Sequence, residues 1–231
     1  MKPNQPSQIL FFTTIILTII FESFFHNNGI IVYFKSMAVP LIFIYFLISN
    51  NYQIAWHQSL LFLLCFVGDL MIVLDESYTN YGSIYCFITV YLMLFLLFVK
   101  DFSRVKIKKH DVPPIIIVLA FIIFLSISVL NMTTKEVEKF QFYVVYAVVL
   151  CIMSCLCFVN YILRPNVTHL FATLMVICFL LSDIFFVFNE YYYDLLIFRL
   201  IRNTTQVLAY YFMAQYFLKH KKSKSKKLYK N

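Results

Sequence analysis

Six ionisable side chains lie inside long apolar stretches of this sequence, where such groups are costly unless they are paired or hydrated. They are Glu22, Lys35, Asp69, Asp183, Arg199 and Arg202. The two aspartates carry most of the chemical interest, because their side chains are too short to bring a buried carboxylate to a membrane surface. Two buried carboxylates can divide the roles of general acid and general base. We therefore interpret Asp69 and Asp183 as candidate catalytic residues, with a structural ion pair such as Lys35–Asp69 as the alternative.

The apolar stretches that carry these charges are long enough to cross a membrane as helices. Hydrophobic residues make up 62% of the 231 positions and charged residues 13%, against about 25% charged in a typical soluble domain. Each run approaches the roughly 20 residues that span about 30 Å of hydrocarbon. The sequence predicts eight spans, at residues 8–25, 30–49, 58–75, 83–99, 114–131, 141–162, 168–189 and 196–218. The predicted fold class is therefore all-α, a polytopic integral membrane protein with one transmembrane domain (1–218) and a basic tail (219–231).

Basic residues cluster on one side of the predicted spans, in the segment that follows span four (100–109) and in the tail. The positive-inside rule assigns that side to the cytoplasm, so both termini are predicted to be cytoplasmic. The net charge of +8 is then mainly a topology signal. It does not predict nucleic-acid binding, because the tail offers little besides lysine and serine. We expect a multi-pass protein of the cell (inner) membrane, with the tail attracted to anionic lipid headgroups.

The predicted orientation gives the buried charges a common depth. Those in spans one, two, three and seven each lie within about 10 Å of the outer end of the span, at 1.5 Å per residue. The two arginines enter span eight from the same side, whereas spans four to six carry no charge in their interiors. The sequence thus predicts a polar pocket in the outer half of the bundle, walled by spans one, two, three, seven and eight. For Glu22, Lys35 and the arginines, snorkelling to the interface is the alternative.

Short sequence elements in all parts of the chain form a recognisable series. In chain order they are Lys35 in KSMAVPL, Gly68–Asp69 in VGDLM, Tyr146 and Met153 in VYAVVLCIMS, Ser182–Asp183 in LLSDIFF, and Tyr211 with Ala214–Gln215 in YYFMAQYFL. Together they cover nearly the whole chain. They resemble the YhhN-like lysoplasmalogenase family, small eight-helix membrane hydrolases found in bacteria and animals.

The resemblance implies hydrolysis of the vinyl ether bond of lysoplasmalogens, which yields a fatty aldehyde and glycerophospho-ethanolamine or -choline. A vinyl ether is cleaved by protonation of its β-carbon, after which water attacks the oxocarbenium ion. Asp69 and Asp183 would supply the acid and the base, in an order that the sequence leaves open. The implied substrate-binding residues are Glu22, Lys35, Arg199, Arg202, Tyr211 and Gln215. The six cysteines show no metal-ligand spacing, and we expect no metal and no cofactor.

Two other classes of membrane protein have similar buried charges. One is a carrier for a small solute or a proton, and the other is a non-catalytic lipid-binding protein. A carrier is disfavoured because the charges lie in one layer instead of forming a relay across the membrane. The sequence also has only three glycines, whereas broken transporter helices are usually interrupted by glycine or proline.

Overall fold

The computed structural model describes residues 5–24, 28–73, 79–102, 107–133 and 140–228, without the side chains of 22, 24, 28–35, 73, 79–80 and 222–228. These residues form eight α-helices and no strand, which confirms the all-α prediction. The helices are α1 (Gln5–Phe24), α2 (Asn28–Ser49), α3 (Trp56–Val73), α4 (Thr79–Phe102), α5 (Val112–Met132), α6 (Phe140–Leu163), α7 (Val167–Tyr191) and α8 (Leu196–Leu228). Each helix overlaps one predicted span.

Among the described residues, four stretches are long and apolar enough to cross a membrane as helices. They are Tyr81–Phe102, Lys109–Met132, Phe140–Leu163 and Val167–Tyr191, which correspond to α4, to α5 with the three residues before it, to α6 and to α7. The apolar parts of α1, α2 and α3 are shorter within the described residues, at Gln5–Phe21, Ser36–Ser49 and Trp56–Ile72. The four long apolar helices indicate a membrane protein. The full count of eight spans and the cytoplasmic position of the termini stay predictions.

Local sequence explains several helix boundaries. Pro113 and Pro114 occupy the first turn of α5, where the missing N–H has no helical partner to lose. Asn166 caps α7, because its side chain accepts a 2.9 Å hydrogen bond from the backbone N–H of His169. Such a cap contributes about 1 kcal/mol. Pro40 lies inside α2 and is exposed on the outside of the bundle.

Helix α8 is the central element of the packing. It lies along α7 and also contacts α1 and α2, and its fully buried Tyr210 and Tyr216 belong to the aromatic core with Phe46, Phe98 and Phe179. It continues without a break through residue 219, where the basic tail was predicted to begin. By contrast, α5 packs mainly on α6, and Ile122 is the buried residue of this helix. An apolar helix that exposes most of its surface suits contact with lipid.

Polar contacts tie together the end of the bundle that is predicted to be cytoplasmic. The Tyr216 hydroxyl donates to Asp101 Oδ2 at 3.1 Å, and His220 Nε2 lies 3.0 Å from Asp101 Oδ1. The Lys221 ammonium donates to Asn50 Oδ1 at 3.0 Å and to Gln53 Oε1 at 2.7 Å. These contacts join α8 to α4 and to the connection between α2 and α3.

We predict that Gly68→Ala destabilises the protein by about 1–2 kcal/mol, because α3 and α4 approach closely at this glycine. A Cβ atom there would lie 3.0 Å from Cε2 of the Phe87 ring and 3.3 Å from Cβ of Cys86. The matched control is Gly82→Ala, whose Cβ would meet only the flexible side chain of Met71. Thermal unfolding in detergent should show the larger loss for Gly68→Ala. Equal losses would contradict close packing at Gly68.

Candidate active site

A cavity of about 290 Å³ lies at one end of the bundle. Its lining comes from the last turns of α5 and α7 and from the first turns of α4, α6 and α8, with Ile72 at the end of α3. In an antiparallel bundle these helix ends lie on one side. The predicted orientation makes that side the outer one, where the sequence placed its polar pocket.

The walls of the cavity differ from those that the sequence predicted. None of the described residues of α1 or α2 lines it, whereas α4, α5 and α6 contribute Ser83, Ser126, Tyr143 and Tyr146. The side chains of Glu22 and Lys35 lie outside the described residues, so the prediction that spans one and two wall the pocket stays a prediction. The prediction that spans four to six lie apart from the pocket is wrong for this cavity. The physical reason is that the middle helices supply neutral hydroxyl groups and apolar surface. The pocket was predicted from charged residues alone, and these helices carry none in their interiors.

Asp183 lies on α7 and lines the cavity. Its Oδ2 atom accepts hydrogen bonds from the hydroxyl groups of Tyr91 on α4 and Tyr146 on α6, both at 2.9 Å. The two hydroxyl oxygens are 3.1 Å apart, and the two rings meet edge to face at 5.5 Å. Three helices thus converge on one carboxylate oxygen, which holds the carboxyl group in one orientation at the cavity wall.

Asp69 lies on α3, is only 2% exposed, and is not among the residues that line the cavity. Its Oδ1 atom accepts a 2.6 Å hydrogen bond from Gln206 Nε2, and the Tyr210 hydroxyl lies 2.8 Å from both carboxylate oxygens. Gln206 does line the cavity. Asp69 therefore lies behind Gln206, one side chain away from the cavity surface.

The α8 residues that the sequence predicted to bind substrate, Tyr211 and Gln215, lie on a different face of the helix from Gln206 and Tyr210. Tyr211 packs against Phe11, Phe12 and Tyr45, and Gln215 donates a 2.8 Å hydrogen bond to the Tyr45 hydroxyl. Both residues therefore face α1 and α2, and neither lines the cavity.

Asp69 is bound by Gln206 and Tyr210, and the sequence analysis predicted a role for neither residue. A usable signal existed, because Arg202, Gln206 and Tyr210 recur every four residues and so form one stripe on the helix. Tyr91 was missed as well. A lone tyrosine in an apolar helix carries no signal of what it faces.

The four charged residues that the sequence predicted to bind substrate differ in their positions relative to the cavity. The guanidinium carbon of Arg202 lies 5.0 Å from the centre of the Phe186 ring, and Arg202 lines the cavity. Arg199 does not line it, and its Nε atom lies 3.1 Å from Asp194 Oδ1 in the connection between α7 and α8. The backbones of Glu22 and Lys35 lie in α1 and α2, but their side chains fall outside the described part of the structure.

The described chain holds no group of three His, Cys, Asp or Glu side chains that could bind a metal ion. What the cavity offers is proton-transfer chemistry. The Asp183 carboxyl group lies at its wall with the hydroxyls of Tyr91 and Tyr146 bound to it, and the Gln206 amide, which binds the Asp69 carboxylate, lies beside it. The lining from α5 and α6 is otherwise mostly apolar, with Leu125, Val129 and Leu150.

A bundle of apolar helices with a carboxyl-bearing cavity at one end defines the class, an α-helical membrane protein with an internal polar site. This chain belongs to the YhhN family, whose model matches residues 30–221. The match runs from α2 into the C-terminal part of α8 and includes both aspartates, and it confirms the resemblance carried by the sequence elements. No curated protein and no solved structure matches the chain.

Proposed function

We propose that this protein is a membrane-embedded hydrolase that cleaves the vinyl ether bond of lysoplasmalogens. The observation that carries the proposal is the carboxyl group of Asp183 at the wall of a cavity, oriented by two tyrosine hydroxyls. Membership of the YhhN family supports this reaction class. The products are a fatty aldehyde and glycerophospho-ethanolamine or -choline.

In the proposed reaction, the acid form of Asp183 gives its proton to the β-carbon of the vinyl ether. The electrons of the carbon–carbon double bond form the new C–H bond, and the adjacent carbon becomes an oxocarbenium ion. A water molecule adds to this carbon and returns a proton to the carboxylate. The resulting hemiacetal collapses to the aldehyde and the free hydroxyl of the glycerol. We assign the acid to Asp183 and not to Asp69, because only Asp183 lines the cavity.

Asp69 acts in this proposal through Gln206. A carboxylate only accepts hydrogen bonds, so the amide must turn its NH₂ group toward Asp69. Gln206 Nε2 also lies 3.2 Å from the Tyr210 hydroxyl, which further holds the amide in place. The carbonyl oxygen of Gln206 is then the group that accepts a hydrogen bond from the attacking water. The negative charge of Asp69 behind the amide also favours the oxocarbenium ion.

The test uses the purified protein in detergent with a lysoplasmalogen that carries an ethanolamine headgroup. We expect release of fatty aldehyde, measured by mass spectrometry. The matched lysolipid with a saturated alkyl ether should give no aldehyde, because it has no double bond to protonate. If no lysoplasmalogen yields aldehyde, the proposed function is wrong. Flux of a solute into proteoliposomes without hydrolysis would instead support a carrier.

Removal of one hydroxyl from the tyrosine pair should slow the reaction. We predict that Tyr146→Phe lowers kcat about 10- to 100-fold with little change in KM, because Asp183 loses one of its two orienting hydrogen bonds. The matched control is Tyr85→Phe, since Tyr85 is exposed on α4 and does not line the cavity. Steady-state kinetics on the two variants measure kcat and KM, and Tyr85→Phe should keep the wild-type values. A wild-type kcat in Tyr146→Phe would exclude this role for its hydroxyl.

A further inference from the structure

Glu190 lies at the exposed end of the cavity and takes no part in the proposed reaction. It lines the cavity two helical turns beyond Asp183 on the same helix, a rise of about 10 Å. The two acids therefore lie on one face of α7, with Asp183 nearer the middle of the helix and Glu190 in its last turn. A carboxylate at this exposed end can contact a ligand that enters the cavity, and solvent screens that contact only in part.

A cation lies between the two acids. Arg202 lines the cavity from α8, with its guanidinium carbon 5.0 Å from the centre of the Phe186 ring. Phe186 lies about one turn from Asp183 and one turn from Glu190 on α7. Along the cavity the order of charges is thus acid, base, acid.

Two aromatic side chains line the cavity near Glu190. The rings of Tyr143 on α6 and Tyr191 on α7 meet edge to face, with centroids 6.3 Å apart. Aromatic rings attract ammonium groups, and a nearby carboxylate adds to that attraction. This end of the cavity therefore combines three groups that favour a cation.

We infer that Glu190, with Tyr143 and Tyr191, binds the ammonium group of a zwitterionic lysolipid and makes Glu190 a specificity-determining residue, while Arg202 binds the phosphate. The inference rests on the proposed function, which places the ether bond at Asp183. From the ether oxygen to the ammonium nitrogen of an ethanolamine lysolipid there are about nine bonds, which extend over about 10 Å, as three extended residues do. That length matches the rise from Asp183 to Glu190, and the phosphate falls between them, where Arg202 lies.

The neighbouring charged pair does not compete for this role. Arg199 and Asp194 form an ion pair at 3.1 Å, and neither residue lines the cavity. Asp194 therefore offers a matched control, an exposed acid near Glu190 in the chain that lies outside the cavity.

The test measures binding to the full-length protein in detergent by native mass spectrometry, with two saturated alkyl-ether lysolipids that cannot be hydrolysed. One carries phosphoethanolamine and the other carries phosphate alone. We expect the wild type to prefer the ethanolamine lipid about ten-fold, as loss of one charge-assisted contact at a partly solvated site would give. Glu190→Gln should remove the preference, and Asp194→Asn should keep it. Arg202→Gln should weaken the binding of both lipids.

The charge-reversed variant Glu190→Lys provides a second measurement and should favour the lipid with phosphate alone. A wild type without preference, or a preference that survives in both Glu190 variants, overturns the inference. The outcomes separate it from the proposed function. Aldehyde release with no effect of Glu190 on binding leaves the hydrolase and removes the headgroup site. Binding that depends on Glu190 without aldehyde release supports the headgroup site and contradicts the hydrolase.

Discussion

Asp183→Asn is expected to lower kcat for aldehyde release by about 10²- to 10⁴-fold, the contribution of a positioned general acid. Asparagine has nearly the same shape as aspartate, and its side-chain oxygen can still accept hydrogen bonds from Tyr91 and Tyr146. It cannot give a proton to carbon, however, because an amide N–H is far too weak an acid. The measurement is steady-state turnover of a lysoplasmalogen by the purified variant.

The control for this experiment is Asp194→Asn, the same chemical change at an exposed acid outside the cavity. That variant should turn over at the wild-type rate. Thermal unfolding should show that Asp183→Asn keeps its fold, since no heavy atom is added to a packed helix. Full activity in Asp183→Asn, with a normal unfolding temperature, would exclude Asp183 as the acid.

The second large effect is expected at Asp69. We predict that Asp69→Asn lowers kcat by about 10²-fold, because both Gln206 and Tyr210 donate to this carboxylate. Asparagine is neutral, so the negative charge that favours the oxocarbenium ion is lost. It also has a single acceptor oxygen for two donors, so the Gln206 amide is held less firmly toward water in the cavity. Binding of the alkyl-ether lysolipid should change little, because Asp69 does not line the cavity.

Asp101→Asn is the matched control for Asp69→Asn. Asp101 is also an aspartate that accepts a hydrogen bond from a tyrosine of α8, Tyr216, but it lies at the opposite end of the bundle. Its replacement should cost about 1–3 kcal/mol of stability and leave turnover near the wild-type value. If both variants lose turnover equally, the effect of Asp69 is a general loss of packing. If Asp69→Asn turns over normally, Asp69 has no part in the reaction.

The packing around Gly68 bears on the same site. Gly68 precedes Asp69 on α3, and its missing side chain lets α3 approach Cys86 and Phe87 of α4. The same helix α4 carries Tyr91, which donates to Asp183. A substitution that separates α3 from α4 is therefore expected to disturb both aspartates. The loss of stability in Gly68→Ala should be accompanied by a loss of turnover.

Composition and local pattern were sufficient for the helical, membrane character of the chain. An α-helix is held by hydrogen bonds between residues four apart, so its position depends on nearby sequence. Apolar runs bounded by polar segments or prolines therefore marked each helix within about four residues, except at the C-terminal end of α8, which continues ten residues beyond the predicted span. The sequence also indicated the two aspartates and the end of the bundle at which they lie, because a charged residue is easily recognised within an apolar run.

Which side chains meet across helices was decided by the tertiary structure alone. Successive residues on a helix point about 100° apart, since a turn contains 3.6 residues. Tyr210 therefore binds Asp69 while its neighbour Tyr211 packs on α1 and α2. Similarly, Tyr91 and Tyr146 reach Asp183 only because α4, α6 and α7 pack together. The rotation of each helix about its axis depends on contacts far apart in the chain, and no local pattern specifies it.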